Sequence, residues 1–453
     1  MRSAAKRAAV VALLGAVILL FTFVFGKRSA VNRGAANATE VRLLRMFGSC
    51  SDEYASVTDL SRATGECGII QVLTNRFNAE NEQGIFVRTE TVEWTGYYDH
   101  LSAMFATGNP PDVAVMHRSS LPGFTGRDLL LPLGAELQAA GIDLDDYVAA
   151  AREAVTVRGE VFALPFDLHA LLWHVNLDLM AQAGLVDARG AAVLPRSPEE
   201  LLAHAERMKR RTGRPYFAIP SQTDPMPTWT FETWVWQQGG EIISANRRKA
   251  LLHTPQGARA LELLAALHRG GHAGRGLDYA GAEQAFLGGE AAVIINGTWG
   301  VDHYDAEAKA GITALKRYGV YTPPTLFQQG AAWTDSHLWV LPRHKAPDLR
   351  KQKAAVTFLR YLHDHGGTWA RTGHLPVRTS VLESEEFRAL PHRAEYLDTA
   401  RIARALPPIE NQRAVQDAIV DELNATWLLG RSPARSLSAA QWRVDQILEG
   451  EAR

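Results

Sequence analysis

The chain has only two cysteines, Cys50 and Cys67, in 453 residues. That excludes a disulfide scaffold and a four-cysteine zinc site. It also lacks an excess of charge of either sign. Its 48 Lys+Arg stand against 49 Asp+Glu, a net of −1, so there is no overall basic field to draw a nucleic acid. No phosphate-cradling G-x-x-x-x-G-K-[ST], no H-E-x-x-H and no G-x-S-x-G occurs, so three common catalytic signatures are missing. No internal repeat, long linker or low-complexity tract divides the sequence. The chain is nonetheless too long for one compact core. The domains are therefore expected to be interleaved, not strung in series.

The near-zero net charge is an average of two unlike parts. Residues 1–38 hold six basic residues (Arg2, Lys6, Arg7, Lys27, Arg28, Arg33) and no acidic one. Without them the remainder has 42 basic against 49 acidic residues, a net of −7. Ala8 to Phe25 carries no charged side chain and, as a helix, is about 27 Å long, close to the hydrocarbon thickness of a bilayer. Arg2, Lys6 and Arg7 precede it and are expected to stay cytoplasmic. The segment reads as a signal peptide or an N-terminal membrane anchor. Ala36-Asn37-Ala38 fits a small-x-small cleavage site before Thr39, whereas Lys27, Arg28 and Arg33 favour retention. Both readings place the body outside the cytoplasmic membrane, in the periplasm or on the membrane's outer face. In that compartment Cys50 and Cys67 are expected to form a disulfide.

The body alternates strand and helix signals. Val41–Phe47 reads as a strand, Ile69–Asn81 as a helix, Ile85–Val92 as a strand, Tyr97–Thr107 as a helix and Asp112–Met116 as a short buried strand. This order indicates an open α/β sheet. The alternation goes on with strands at Val161–Pro165, Leu171–Asn176, Ala291–Ile295, Tyr318–Thr322 and Leu338–Leu341. Helices are expected at Leu177–Gly184, after Ser197, up to Gly239, and at Pro255–Arg269, Tyr279–Leu287 and Asp348–His363. Past Pro376 the chain reads as mainly helical.

Tryptophan carries the functional signal. Of 11 tryptophans, Trp94, Trp229, Trp299, Trp333 and Trp427 sit beside turn or breaker signals, not within apolar periodicity. Trp299 follows Asn296-Gly297-Thr298, and Trp333 precedes Asp335, Ser336 and His337. An aromatic face at a strand end suits the apolar C–H face of a sugar ring, with nearby Asp, His and Asn for its hydroxyls. Trp173, Trp339 and Trp369 read as core. His363 and His365 read as surface histidines. No cofactor and no bound metal are called for. A glycosidase could hide two carboxylates that meet only in space.

Several segments together resemble a known family. They are Phe105-Ala106-Thr107-Gly108-Asn109-Pro110-Pro111-Asp112-Val113; Ala163-Leu164-Pro165-Phe166-Asp167 with Trp173-His174-Val175-Asn176 and Ala183-Gly184-Leu185; Pro195–Ala205; Trp236-Gln237-Gln238-Gly239-Gly240; Phe286-Leu287-Gly288-Gly289-Glu290-Ala291-Ala292-Val293 through Trp299; and Gly373-His374-Leu375-Pro376-Val377-Arg378. Their order over about residues 41–430 resembles the extracellular solute-binding proteins of ABC importers. The likeness is to the carbohydrate-binding group that includes maltose- and glycerol-3-phosphate-binding proteins. One departure is Ser49–Gly68, which intervenes after the first strand and is expected to border the ligand cleft.

The resemblance implies a two-lobed α/β fold with interleaved lobes, hinge strands and a central cleft. Lobe one would hold 39–164 and 338–375; lobe two would hold 166–333 and 376–453. It implies ligand contacts from Trp299 and Trp229 by stacking, and from Asp167 and His169 after the first crossover. It further implies contacts from Asp335 and His337 at the second crossover, from Met116, Ser119 and Ser120 after the Pro-Asp strand, and from Trp427. Trp333 joins them from its own position. Asp112 is expected to be structural. The family is not enzymatic. Its partners would be a small carbohydrate and the permease subunits of an importer with a separate ATPase, with the binding protein a monomer and no nucleic acid involved. His169 and Arg378 are the only evident cationic candidates, which favours a neutral oligosaccharide over a phosphate ester. Two other functions stay open: a solute sensor for a membrane receptor, and a glycoside-active enzyme.

Overall fold

The computed structural model describes residues 38–221 and 224–451. The leader expected at 8–25 lies outside the described residues. Among the described residues no helix is long and apolar enough to cross a membrane.

The first sheet is built from β1 (Thr39–Arg45), β2 (Ile85–Thr91) and β3 (Val113–His117), with α1 (Gly65–Glu80) and α2 (Trp94–Ala106) as connections. β1 lies between β2 and β3 and is parallel to both. Helical crossovers impose that arrangement, since a strand can return parallel only by way of a long connection. β4 (Thr156–Val157) and β5 (Glu160–Val161) form a separate hairpin, and β6 (Leu164–Pro165) follows. The single strand expected over Val161–Pro165 is thus two: Val161 turns into the hairpin and Leu164–Pro165 joins the first sheet.

The second sheet begins with β7 (His169–Asn176), buried along its whole length. Next come α3 (Pro198–Thr212), β8 (Phe217–Ala218), α4 (Met226–Trp236), α5 (Pro255–Arg269), α6 (Tyr279–Leu287) and β9 (Val293–Gly297). α7 (Val301–Ala310), β10 (Tyr318–Tyr321) and β11 (Ala332–Asp335) complete this run. Local caps agree with the helix starts: Ser197 accepts from the Glu200 amide, Thr254 from Gly257 and Asp278 from Gly281, each satisfying a free N-terminal N–H. β9 runs on through Asn296 and Gly297, expected as a turn, because both pair with Leu172 and Leu171 of β7.

The chain then returns to the first sheet as β12 (His337–Val340), antiparallel to β3 and β6. α8 (Leu349–Asp364) packs there. β13 (Ala403–Arg404), α9 (Gln412–Leu428) and α10 (Pro433–Glu451) finish the second lobe. The strand order is β2-β1-β3-β12-β6 in one sheet and β13-β11-β7-β9-β8 in the other, with β10 also on β7. The fold is therefore α/β with two sheet-containing lobes, and the lobes are interleaved in sequence.

Each lobe has its own core. Phe47, Phe166, Trp339 and Trp369 meet in the first, with Phe166 stacked on Trp369 at 4.7 Å. Trp173, Phe217, Trp234 and Trp236 lie in the second. Fully burying a large apolar side chain contributes about 1.5–3 kcal/mol, so each lobe has an apolar core of its own to hold it together. His363 differs from the expectation of a surface histidine. It is buried and hydrogen-bonded to the Tyr147 hydroxyl (2.8 Å), because α8 turns that face toward the core.

Candidate functional site

The two sheets meet where strands pass directly from one to the other. β6 leads through Phe166–Leu168 into β7, and β11 leads through Ser336 into β12. A third passage runs beside the first, where Leu168 and Leu375 exchange backbone hydrogen bonds. Register fixes which residues face each other here. His337, the first residue of β12, pairs with His117, the last of β3. His169, the first of β7, pairs with Asp335, the last of β11. The passages thus place three histidines and two aspartates at one junction.

Asp167 ties the junction together. Its carboxylate accepts from the His337 amide (3.0 Å), His337 Nδ1 (2.8 Å), Trp369 Nε1 (2.7 Å) and, at 3.4 Å, His169 Nδ1. Burial alone would raise its pKa. The neighbouring His337 and His374 and the hydrogen bonds from His169 and His337 outweigh that and hold it well below the usual carboxylate range. Asp167 is 1 % exposed, so it serves as an internal anchor for the histidines. Asp335 accepts from the Ser119 and Ser336 amides (3.2 and 2.8 Å). That links the loop after β3 to the second passage.

Tryptophans line the second-lobe side. Trp229 on α4 stacks on Trp333 of β11, with centroids 3.8 Å apart and planes 16° apart. Trp94 of α2 meets the edge of Trp229 from the first lobe at 6.5 Å. His169 sits between Trp333 and Trp299, at 6.0 and 5.7 Å. Trp299 donates its Nε1–H to the Tyr279 hydroxyl (2.9 Å). A Cβ on Gly297 would lie 2.0 Å from the Trp299 ring. This glycine therefore lets the indole fold back over the end of β9, which gives the Asn-Gly-Thr-Trp run a physical reason.

The third passage adds His374. Its Nδ1 bonds the Thr298 hydroxyl (2.8 Å) and its Nε2 donates to Glu66 Oε1 (2.7 Å). Gly373, at φ 117°, permits this approach: a Cβ there would stand 2.0 Å from the Thr298 carbonyl oxygen. Glu66 lies in the segment Ser49–Gly68. That segment is closed by a Cys50–Cys67 disulfide with Cα atoms 6.0 Å apart. Beside Glu66, the Gly65 amide donates to Asp302 Oδ2 of α7 (2.6 Å). The insert thus reaches from the first lobe to the second.

Residues 73–395 match the family described as bacterial extracellular solute-binding protein. The chain belongs to that family. Among solved structures it is similar to the GacH receptor of Streptomyces glaucescens, solved unliganded and with acarbose and an acarbose homolog. The identity is 19 % and the TM-score 0.77, over 91 % of this chain and 99 % of that one. It is similar to the cyclic α-maltosyl-1,6-maltose binding protein of Arthrobacter globiformis (20 %, TM-score 0.70, 91 % and 100 % covered). It is also similar to UgpB of Mycobacterium tuberculosis in complex with glycerophosphocholine (19 %, TM-score 0.74, 92 % and 100 % covered). These likenesses establish the periplasmic binding protein fold.

Of the residues picked out from the sequence of this family member, Trp299, Trp229, Trp333, Asp167, His169, Asp335, His337 and Ser119 converge on the junction. Ser120 is partly buried beside Ser119. Met116 does not join them. It pairs with Leu338 in mid-sheet and is fully buried in the first core. Trp427 stacks on His268 at 4.8 Å and donates to the Ser221 carbonyl, contacts within the second lobe. Arg378 is held by Asp146 (2.8 Å) and the His363 carbonyl (2.8 Å). Asp112 accepts from the Arg42 amide (2.8 Å) and lies at the start of β3, the end remote from His117. Sequence reading missed His117, His374, Glu66, Trp94, Tyr98 and Tyr279. His374 stood inside a quoted motif, and Trp94 was marked as unusual. Glu66 lay inside the segment expected to border the cleft, whereas His117, Tyr98 (its hydroxyl 2.7 Å from His117 Nδ1) and Tyr279 carry no signal until the sheets are assembled.

Proposed function

We propose that this chain is an extracytoplasmic binding protein that captures a carbohydrate, an oligosaccharide, between its lobes and delivers it to an ABC importer. The observation that carries this reading is the aromatic group Trp94, Trp229, Trp333 and Trp299 around the junction, with Asp335 and the His169 imidazole beside it. Indole faces suit sugar rings, and short polar side chains suit their hydroxyls. The family and the sugar-binding neighbours support the same class of solute. Arg378 is already paired with Asp146, which supports a neutral ligand over a phosphate ester. Residues 1–38 would act as the export signal or anchor. The two lobes would comprise 39–164 with 338–375, and 166–333 with 376–453. Binding would draw the lobes together about the passages, and the importer's permease subunits would read the closed form.

The test is a thermal-shift screen of malto-oligosaccharides, other neutral sugars and glycerophosphodiesters, followed by calorimetry. A neutral oligosaccharide should bind unchanged over long incubation, and Trp299→Ala should weaken it by about tenfold or more, since the stacking contribution of about 0.5–1.5 kcal/mol adds to the apolar area the indole buries against the sugar. Hydrolysis of the sugar, binding only of phosphodiesters, or unaltered affinity in Trp299→Ala would sink the reading.

A further inference from the structure

We infer that the junction is also a transition-metal site, in which His117, His169 and His337 hold one Zn²⁺ or a similar divalent ion. The inference does not depend on which solute the cleft takes. One ligating atom from each of the three histidines lies within 4.8 Å of the other two. Their ring centroids are 4.4 Å apart for His169–His337, 5.0 Å for His117–His337 and 5.5 Å for His117–His169. A tetrahedral zinc with Zn–N of about 2.0–2.1 Å holds its nitrogens roughly 3.4 Å apart. Closing that difference requires each ligating nitrogen to move by up to about 1 Å toward the ion.

The second coordination layer is already built. Metal-bound histidines usually donate the remaining ring N–H to a carboxylate or another oxygen, which fixes the ring and its tautomer. Here His337 and His169 both direct Nδ1 at Asp167, at 2.8 and 3.4 Å. His117 directs Nδ1 at the Tyr98 hydroxyl, 2.7 Å away, and Tyr98 is held in turn by the His117 amide. Among the described residues no hydrogen bond runs to Nε2 of any of the three. Each of the three rings therefore has Nδ1 held, which leaves Nε2 as the nitrogen offered to an ion. The ionised Asp167 compensates part of the ion's charge in a buried setting, where an unpaired charge is costly.

Geometry also gives the ion a task. His117 and His337 belong to the first sheet and His169 to the second. An ion on all three would pin the lobes at the point where they hinge, with a fourth position left for water or a solute oxygen.

The test uses the exported, disulfide-bonded protein, dialysed against chelator and titrated with Zn²⁺ in the absence of sugar. Calorimetry should give one equivalent with a Kd of about 1 μM or tighter. Co²⁺ in its place should give the intense visible bands of a tetrahedral site. His117→Ala and His169→Ala should each lower affinity by about 100-fold or more, and Asp167→Asn by about 10- to 100-fold. His303→Ala, an exposed histidine on α7, should leave binding unchanged. His117→Gln, at the half-buried strand end, provides a second variant if His117→Ala does not fold. Absence of micromolar binding, or binding indifferent to His117 and His169 substitution in folded variants, would overturn the inference.

Discussion

Trp229 and Trp333 lie face to face, their ring centroids 3.8 Å apart and their planes 16° from parallel. One comes from a helix and the other from the strand that leads into the hinge. Trp333 is buried while Trp229 is partly exposed, so the two should separate stability from binding. Trp333→Ala should cost about 3–5 kcal/mol of stability, the usual range for emptying a buried aromatic site. Trp229→Ala should cost less and instead lower sugar affinity by about tenfold. Denaturant melts and calorimetry on the two variants check the split. Equal stability losses would count against it.

The Gly65 amide and Asp302 carboxylate bond across the lobes at 2.6 Å, beside the Glu66–His374 contact at 2.7 Å. Hydrogen bonds to charged groups contribute about 1.5–3 kcal/mol. Asp302→Ala should therefore shift the equilibrium toward separated lobes and weaken solute binding by roughly tenfold. Small-angle scattering of the free protein should show a larger radius of gyration. An unchanged radius and affinity would show that this contact does not govern closure.

Glu232 on α4 is fully buried, and neither carboxylate oxygen has a hydrogen-bond partner among the described residues. Burial pushes its pKa well above 4.5. The folded chain thus keeps a proton that the unfolded chain releases above about pH 4.5, so this group's contribution to stability falls as pH rises from there toward the raised value. Glu232→Gln removes the titration. The variant should be more stable than the parent at pH 8, by roughly 1–3 kcal/mol, and the gain should shrink toward pH 4.5. Melting temperatures across that range measure it. A gain that does not vary with pH would refute the account.

Cys50 and Cys67 close a loop whose members also contact the second lobe through Gly65 and Glu66. Cys50→Ser with Cys67→Ser should cost about 3 kcal/mol in the chain-entropy account. It should also loosen the insert and so weaken solute binding. Chemical denaturation and affinity measured on the double variant test both effects. Loss of stability with affinity intact would separate the loop from the cleft.

Much of the architecture was legible because it depends on local rules. The strand–helix alternation from Val41 to Met116, and caps such as Ser197 and Thr254, are read from neighbours a few residues apart. Pro255–Arg269 and Tyr279–Leu287 have the same bounds in sequence and structure. The split at Val161–Pro165 was not legible, since Glu160–Val161 and Leu164–Pro165, only two residues apart, serve different sheets. Met116 shows the same limit at the site. Its place after the Pro-Asp strand suggested a ligand contact, but one residue of register decides between core and cleft. Met116 takes the core and His117, next to it, takes the junction.

The sequence by itself pointed to an interleaved α/β protein of the solute-binding family, and it singled out Trp229, Trp299 and Trp333, which stand together at the junction of the sheets. Periodicity, capping and motif order carry that much, because each is written along the chain. Only the tertiary structure decided that His117, His169, His337 and His374 meet around Asp167. They come from two sheets and three separate passages of the chain. Their meeting depends on the register of β3 against β12 and of β7 against β11, and pairing register acts between segments that no local pattern connects.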